Sequence, residues 1–249
     1  MKRIILFLMF LCAAVPGYAQ TVDSVFAVCD SGFNADSSAY GWRNKGETLT
    51  VNRLEIGQAL VAGPTYYVQR GFTSFILSGL PNGQAIDSAC ISVNIYNDMS
   101  QTDFVLQLHQ GVQYKTITAS DFIRFSGFSF GQLDVYTMPV FYGSYNIAGG
   151  GGRVSIPLTS VGRGAITYFS QTTDTLKVAF LSSRDISATP PTNNEYVEIY
   201  NTQGAAGDVT KKIYLKYWYG GGGGGGTIYR NDERAGRYSP VFKRPRREF

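Results

Sequence analysis

The sequence predicts an all-β protein built as a jelly-roll β-sandwich with one short helix. Three observations carry that prediction. Apolar and polar residues alternate with period two in many short segments, turn signals fall between those segments, and a single stretch shows a helical period. Alternation sends successive side chains to opposite faces, which is what a half-buried strand needs. Many short strands separated by turns in one chain lead to a sandwich or jelly roll.

The first 19 residues stand apart from the fold. Lys2 and Arg3 form a basic n-region, residues 4–15 an apolar run, and Gly17-Tyr18-Ala19 a small-residue cleavage site that leaves Gln20 as the mature N-terminus. The run is shorter than the roughly 20 apolar residues a membrane span needs, and no later stretch is apolar enough to span. Cys12 follows Phe10-Leu11, where a lipidation site would have small residues. The expectation is a signal peptide over 1–19 and a protein that is secreted, extracellular or at the cell surface, with the periplasm as an alternative.

The strands follow in order. Candidates cover 25–29, 48–56, 66–77, 104–110, 133–141 and 196–200. The clearest alternation sets Ala89, Ile91, Val93 and Ile95 against Ser88, Cys90, Ser92 and Asn94; Leu176, Val178 and Phe180 repeat it, as do Ile213, Leu215 and Tyr217. Gly57, Pro64, Pro81-Asn82-Gly83, Gly111, Gly131, the glycines of 149–152 and Pro190-Pro191 mark turns. Val154, Ile156 and Leu158 read as a strand that runs into a helix. Thr159-Ser160 supplies the cap and Val161, Ala165, Ile166 and Phe169 the apolar spacing, although Gly162 and Gly164 weaken it. The sandwich thus occupies 20–219. Seven consecutive glycines at 220–226 form a flexible linker, and 227–249 is too polar and basic to bury a core and is expected to be disordered.

Charge is unevenly placed. The chain carries a net +4, but two basic residues lie in the leader and seven basic against three acidic in 227–249. The region between holds 13 basic and 15 acidic residues, a net −2. A nucleic-acid-binding body would show a basic face, so nucleic acid is not an expected partner.

The segment from Thr48-Leu49-Thr50-Val51-Asn52-Arg53-Leu54-Glu55-Ile56-Gly57, through Gln69-Arg70-Gly71-Phe72-Thr73-Ser74-Phe75 and Leu77-Ser78-Gly79-Leu80-Pro81-Asn82-Gly83-Gln84-Ala85-Ile86, to Ser88-Ala89-Cys90-Ile91-Ser92-Val93-Asn94-Ile95-Tyr96 resembles the DNRLRE domain family of bacterial extracellular proteins. The likeness extends over about 25–219 and is most specific over 70–96. It implies a jelly-roll module appended to secreted enzymes, adhesins or surface proteins, with some relatives binding acidic polysaccharides. A departure from that pattern is expected here, since no catalytic domain is read beside the module within these 249 residues. Read without the family, 72–77 is apolar on both faces, as a central strand can be, and Leu80-Pro81-Asn82-Gly83 is turn chemistry.

Catalytic signals are few. His109 is the sole histidine and alternates with Phe104, Leu106 and Leu108, which places it as a surface or cross-strand residue. Histidine-based triads and zinc sites then lack members. The expectation is a non-enzyme that needs no cofactor. Calcium is the one ion the composition admits, with Asp30, Asn34 and Asp36 in a glycine-containing loop and Asp98 and Asp103 flanking another. Cys29 and Cys90 survive leader removal and form a candidate disulfide in an oxidising compartment. Tyr40, Trp42, Arg43 and Lys45 put aromatics beside polar donors on one segment and are the first candidates for carbohydrate binding; Tyr136, Tyr142 and Tyr145 are the second. Lys243, Arg244, Arg246 and Arg247 could hold an anionic partner through salt-sensitive attraction. Two functions are expected from these features: a non-catalytic binding or adhesion module for polysaccharide at the cell surface, or a structural component of envelope or extracellular-matrix assembly.

Overall fold

The computed structural model describes residues 20–37, 48–50, 52–61, 65–81, 83–113, 117–118, 121–122, 128–129, 132–133 and 140–220. The leader, the linker after Gly220 and the basic tail lie outside these residues. The elements are β1 Thr21–Ser37, β2 Thr48–Thr50, β3 Arg53–Val61, β4 Thr65–Ile76, β5 Ile86–Asp98, β6 Phe104–Gln110, β7 Phe128–Ser129, β8 Gln132–Leu133, β9 Phe141–Ile147, β10 Gly152–Pro157, α1 Ser160–Thr172, β11 Thr175–Ser182, α2 Ser183–Ile186, β12 Glu195–Tyr200 and β13 Tyr214–Tyr219. No helix among the described residues is long and apolar enough to cross a membrane.

The fold is the all-β sandwich that the alternation predicts. Eleven described strands form one antiparallel sheet in the order β2-β1-β13-β5-β12-β3-β4-β11-β6-β9, with β10 added to β5. Two long strands fold this sheet into layers. β4 has β1 along one edge and β3, then β11, along the other. β5 has β10 along one edge and β13, then β12, along the other. β1 closes the path by pairing with β13 through Phe26 and, after a bulge at Ala27/Cys29, with β4. Between the layers lie Leu54, Ile56, Phe75, Ile91, Val93, Leu106, Leu108, Val178, Phe180, Ile199 and Leu215, all buried. These are the apolar members of the alternating pairs, so the period-two pattern sets the core directly.

β4 is buried from Val68 to Phe75 on both faces. Its second face carries a smaller cluster in which Val68, Phe72, Ala179 and Leu181 pack under Phe122, with Ile117 and Ile186 alongside. A central strand with apolar residues on both faces therefore finds a cover on each.

Some local expectations change. The single strand over 48–56 is broken at Asn52, whose φ of 69° is left-handed, a conformation asparagine tolerates. Of the strand expected over 133–141, Leu133 ends β8 and Phe141 opens β9, and residues 134–139 lie outside the described residues. Helix α1 starts where its cap predicts, with Thr159 Oγ1 accepting from the Gly162 N–H at 3.2 Å. Its buried stripe is Gly162, Ile166 and Ser170, whereas Val161 is exposed. Gly162 is required by proximity: a Cβ there would lie 2.8 Å from the Tyr142 carbonyl oxygen. The glycine that weakens the helix alone lets it dock closely on β9.

Gly57 is no turn but lies inside β3, flanked by β12 on one edge and β4 on the other. Its φ is +142°, and a Cβ would sit 2.1 Å from the Glu195 carbonyl oxygen and 2.5 Å from Tyr196 Cα. Gly57→Ala adds a disfavoured backbone conformation to a backbone clash, and is expected to destabilise by about 2–4 kcal/mol. A urea-denaturation midpoint checks this; an unchanged midpoint would show that the strand relaxes around the methyl.

Tyr217 is fully buried and donates its hydroxyl to Asp23 Oδ2 at 3.2 Å. Burial first, and then the Asp23 carboxylate, push its pKa up to about 12. A tyrosine whose folded pKa exceeds its unfolded value of about 10 favours the fold while neutral, and that contribution is lost as pH rises from about 10 through 12. Tyr217→Phe is expected to flatten the fall in stability across this window. Thermal melts at stepped alkaline pH test it, and equal slopes for both proteins would contradict it.

Candidate functional site

The outer face of β5 and its neighbours carries the most distinctive surface chemistry. Ala89, Ile91, Val93 and Ile95 point into the core, so Ser88, Cys90, Ser92, Asn94 and Tyr96 take the other face. The antiparallel register sets Tyr214, Lys216 and Trp218 of β13 beside Ser92, Cys90 and Ser88. Phe26, Ser24 and Val22 of β1 follow beside those β13 residues. On the opposite edge, Arg153 of β10 lies beside Asn94.

These positions make three aromatic stations. At Tyr96, the ring meets Tyr200 edge-on at 5.1 Å, and the Arg53 guanidinium lies over it at 4.1 Å. Arg53 also pairs with Glu198 at 2.9 Å, and Lys211 lies 5.2 Å from the Tyr200 ring. At Ser92, Tyr214 meets Phe26 edge-on at 6.1 Å, with Arg153 5.0 Å from the Tyr214 centroid and Lys212 5.8 Å from that of Phe26. At Ser88, Trp218 has Lys216 5.0 Å from its ring. The stations are four residues apart on β5, which at strand rise is about 13 Å per interval.

A shallow groove of about 550 Å³ marks the middle station, lined by Ser24, Phe26, Asn94, Arg153, Val209, Thr210 and Tyr214. Arg153 fixes its wall by donating to the carbonyls of Thr210 and Lys212. The Thr210 hydroxyl and N–H donate to Asp208, and with Lys211 at 3.3 Å they hold that carboxyl below its usual range. Arg153, Lys212 and Lys216 have no ion-pair partner among the described residues. The face therefore offers flat apolar rings, hydrogen-bond donors and, in Lys212 and Lys216, cations without an ion-pair partner among the described residues.

The sequence-predicted site residues fall elsewhere. Tyr40, Trp42, Arg43 and Lys45 lie outside the described residues, as do Lys243, Arg244, Arg246 and Arg247. Tyr142 is buried in the main core and cannot serve as a platform. Asp30, Asn34 and Asp36 sit on strand β1, opposite Thr73, Gln69 and Tyr67, in place of the expected loop. Asp98 accepts from the N–H and hydroxyl of Ser100 in a local turn. Among the described residues, no three His, Cys, Asp or Glu side chains group as metal ligands.

The proposed Cys29–Cys90 disulfide is also corrected, because Cys90 carries a free thiol. Cys90 lies beside Lys216 and that in turn beside Ser24, two strand spacings or about 9.6 Å away, with Cys29 five residues further along β1. Disulfide Cα atoms must come within about 7 Å. Burial pushes the Cys90 thiol above its ordinary pKa, against the Ser155 hydrogen bond and Lys216.

A second polar group lies under the smaller cluster. Arg70, fully buried, donates Nε to Asp185 Oδ2 at 2.7 Å, Nη2 to Oδ1 at 3.0 Å and Nη1 to the Phe122 carbonyl at 3.0 Å. Glu195 accepts from Gln58 at 2.9 Å and pairs with Arg184 at 2.8 Å. His109 is cross-strand, as expected, edge-on to Phe141 at 5.6 Å and bonded to Gln107 at 2.9 Å, but it is buried and not at the surface. The cover over this sheet face removes it from solvent. Arg70, Asp185 and the Phe122 carbonyl satisfy one another and tie the cover to β4.

The sequence reading missed Phe26, Tyr96, Arg153, Tyr214 and Trp218. The signal was present in β13, where Tyr214, Lys216 and Trp218 are the out-of-phase partners of Ile213, Leu215 and Tyr217. Searches against protein-family models and curated proteins find no match to the chain.

Proposed function

We propose that this chain is an exported, non-catalytic binding module that holds an extended segment of polysaccharide across the outer face of β1, β13, β5 and β12. The carrying observation is the run of three aromatic stations, each with a cation, at equal intervals along β5. Sugar rings present an apolar face and a hydroxyl rim, which suit flat aromatics beside polar donors. Equal spacing suits a polymer with a repeat. Lys212 and Lys216, without an ion-pair partner among the described residues, favour carboxylated or sulfated chains, and Lys243, Arg244, Arg246 and Arg247 would add to that attraction. The resemblance of 70–96 to the DNRLRE family supports the same reading. A second reading, a structural unit of envelope or matrix assembly, draws on exposed Val22, Phe26 and Val28 along β1.

A glycan-array screen at low salt, with and without 227–249, separates the two. Binding is expected to tighten with chain length up to the span of three stations and to weaken as salt rises. Absence of binding by either form would sink the first reading, and concentration-dependent self-association without glycan would favour the second.

A further inference from the structure

We infer that Gln20 is a modification site at which the exported chain closes to an N-terminal pyroglutamate. The inference rests on the reading that the leader is removed after Ala19, which gives Gln20 the free α-amine. That nitrogen attacks Cδ of its own side chain, a new C–N bond closes the five-membered lactam, the Cδ–Nε2 bond breaks, and ammonia leaves with the proton from the amine. No oxidant or cofactor is needed, and holding nucleophile and carbonyl in one residue supplies the proximity that favours ring closure.

The structure leaves this residue free to react. Gln20 is exposed and precedes the first paired residue, since Thr21 is already opposite Tyr219. Among the described residues its side chain is held by one long exposed bond, from Nε2 to Asp87 Oδ2 at 3.4 Å, which costs little to give up. The ladder behind it gives the modification a consequence. Residues Thr21 to Phe26 pair with β13, and Ser24 and Phe26 line the groove. An exopeptidase entering at residue 20 would strip that wall, and a lactam denies it the amine.

The test is peptide mass spectrometry of the full chain recovered after export and quenched in acid at harvest. The N-terminal peptide is expected to begin at residue 20 and to weigh less than the encoded peptide by one ammonia. Aminopeptidase should leave it intact until pyroglutamyl peptidase exposes Thr21. Gln20→Asn should start at the same position with a free amine and be trimmed. A wild-type peptide that begins at Gln20 with a free amine overturns the inference. A peptide that begins elsewhere overturns it together with the leader reading, and its sequence tells the two failures apart.

Discussion

Replacing Arg70 with methionine is expected to destabilise the domain by about 3–5 kcal/mol, because it strands a buried carboxylate. Arg70 and Asp185 are both out of solvent, and the guanidinium forks onto both carboxylate oxygens while its ring-facing surface lies 4.3 Å over Phe122. A buried ion pair is weak evidence for stability when both partners are exchanged for apolar ones, yet removal of one partner leaves the other charge desolvated. The single variant should therefore lose far more than the pair Arg70→Met with Asp185→Leu, which removes both charges. Arg70→Lys should also lose much, since an ammonium cannot supply the fork or reach Phe122 O at once. Urea denaturation of the three variants reads this as shifts in midpoint. A loss below about 1 kcal/mol for Arg70→Met would mean that water enters to solvate Asp185 and that the cover over the second cluster does not exclude it.

The same pair shows what a sequence can and cannot disclose. Arg70 lies midway along β4 among residues buried on both faces, and a charge placed there needs a buried partner. Its identity was out of reach, because Asp185 lies 115 residues away on a one-turn helix. The main core was legible because alternation is local: Ala89 to Ile95 and Leu176 to Phe180 each declare a face without knowledge of their neighbours. Burial of the second face was not, since it depends on which segment folds back over β4, β11 and β6; hence His109, read as a surface or cross-strand residue, is cross-strand and buried. Asp30-Ser31-Gly32 reads as a turn by composition, yet pairing along β4 from Phe75 to Tyr66 keeps β1 extended through it. Gly57 reads as a turn and is in fact a strand residue with two strands pressed against it. The aromatic face lay halfway between. The polar phase of β13 is visible in the sequence, but its alignment with Phe26 and Tyr96 is set by sheet register, which no single strand contains.

That alignment makes the aromatic face the place where substitution should separate binding from folding. Tyr214 and Trp218 are partly exposed, and truncating either leaves the core residues Leu215 and Tyr217 untouched. Tyr214→Ala and Trp218→Ala should each weaken binding of a long polysaccharide by about 2 kcal/mol, or roughly 30-fold, as aromatic anchors of an interface do. Their midpoints of unfolding should move little, since outward-facing substitutions usually shift stability by less than about 0.5 kcal/mol. The two stations are four residues apart, so a chain long enough to cover both should feel both losses, and a short oligosaccharide only one. Calorimetric titration with a chain-length series therefore carries the argument. If the double variant binds long chains as weakly as either single variant, the stations do not share one ligand. If all variants bind as the wild type does, the polymer lies elsewhere and the face is free for contact with another protein surface. Lys216→Ala, between the two rings, should leave neutral chains unaffected and weaken charged ones, with the difference shrinking as salt rises.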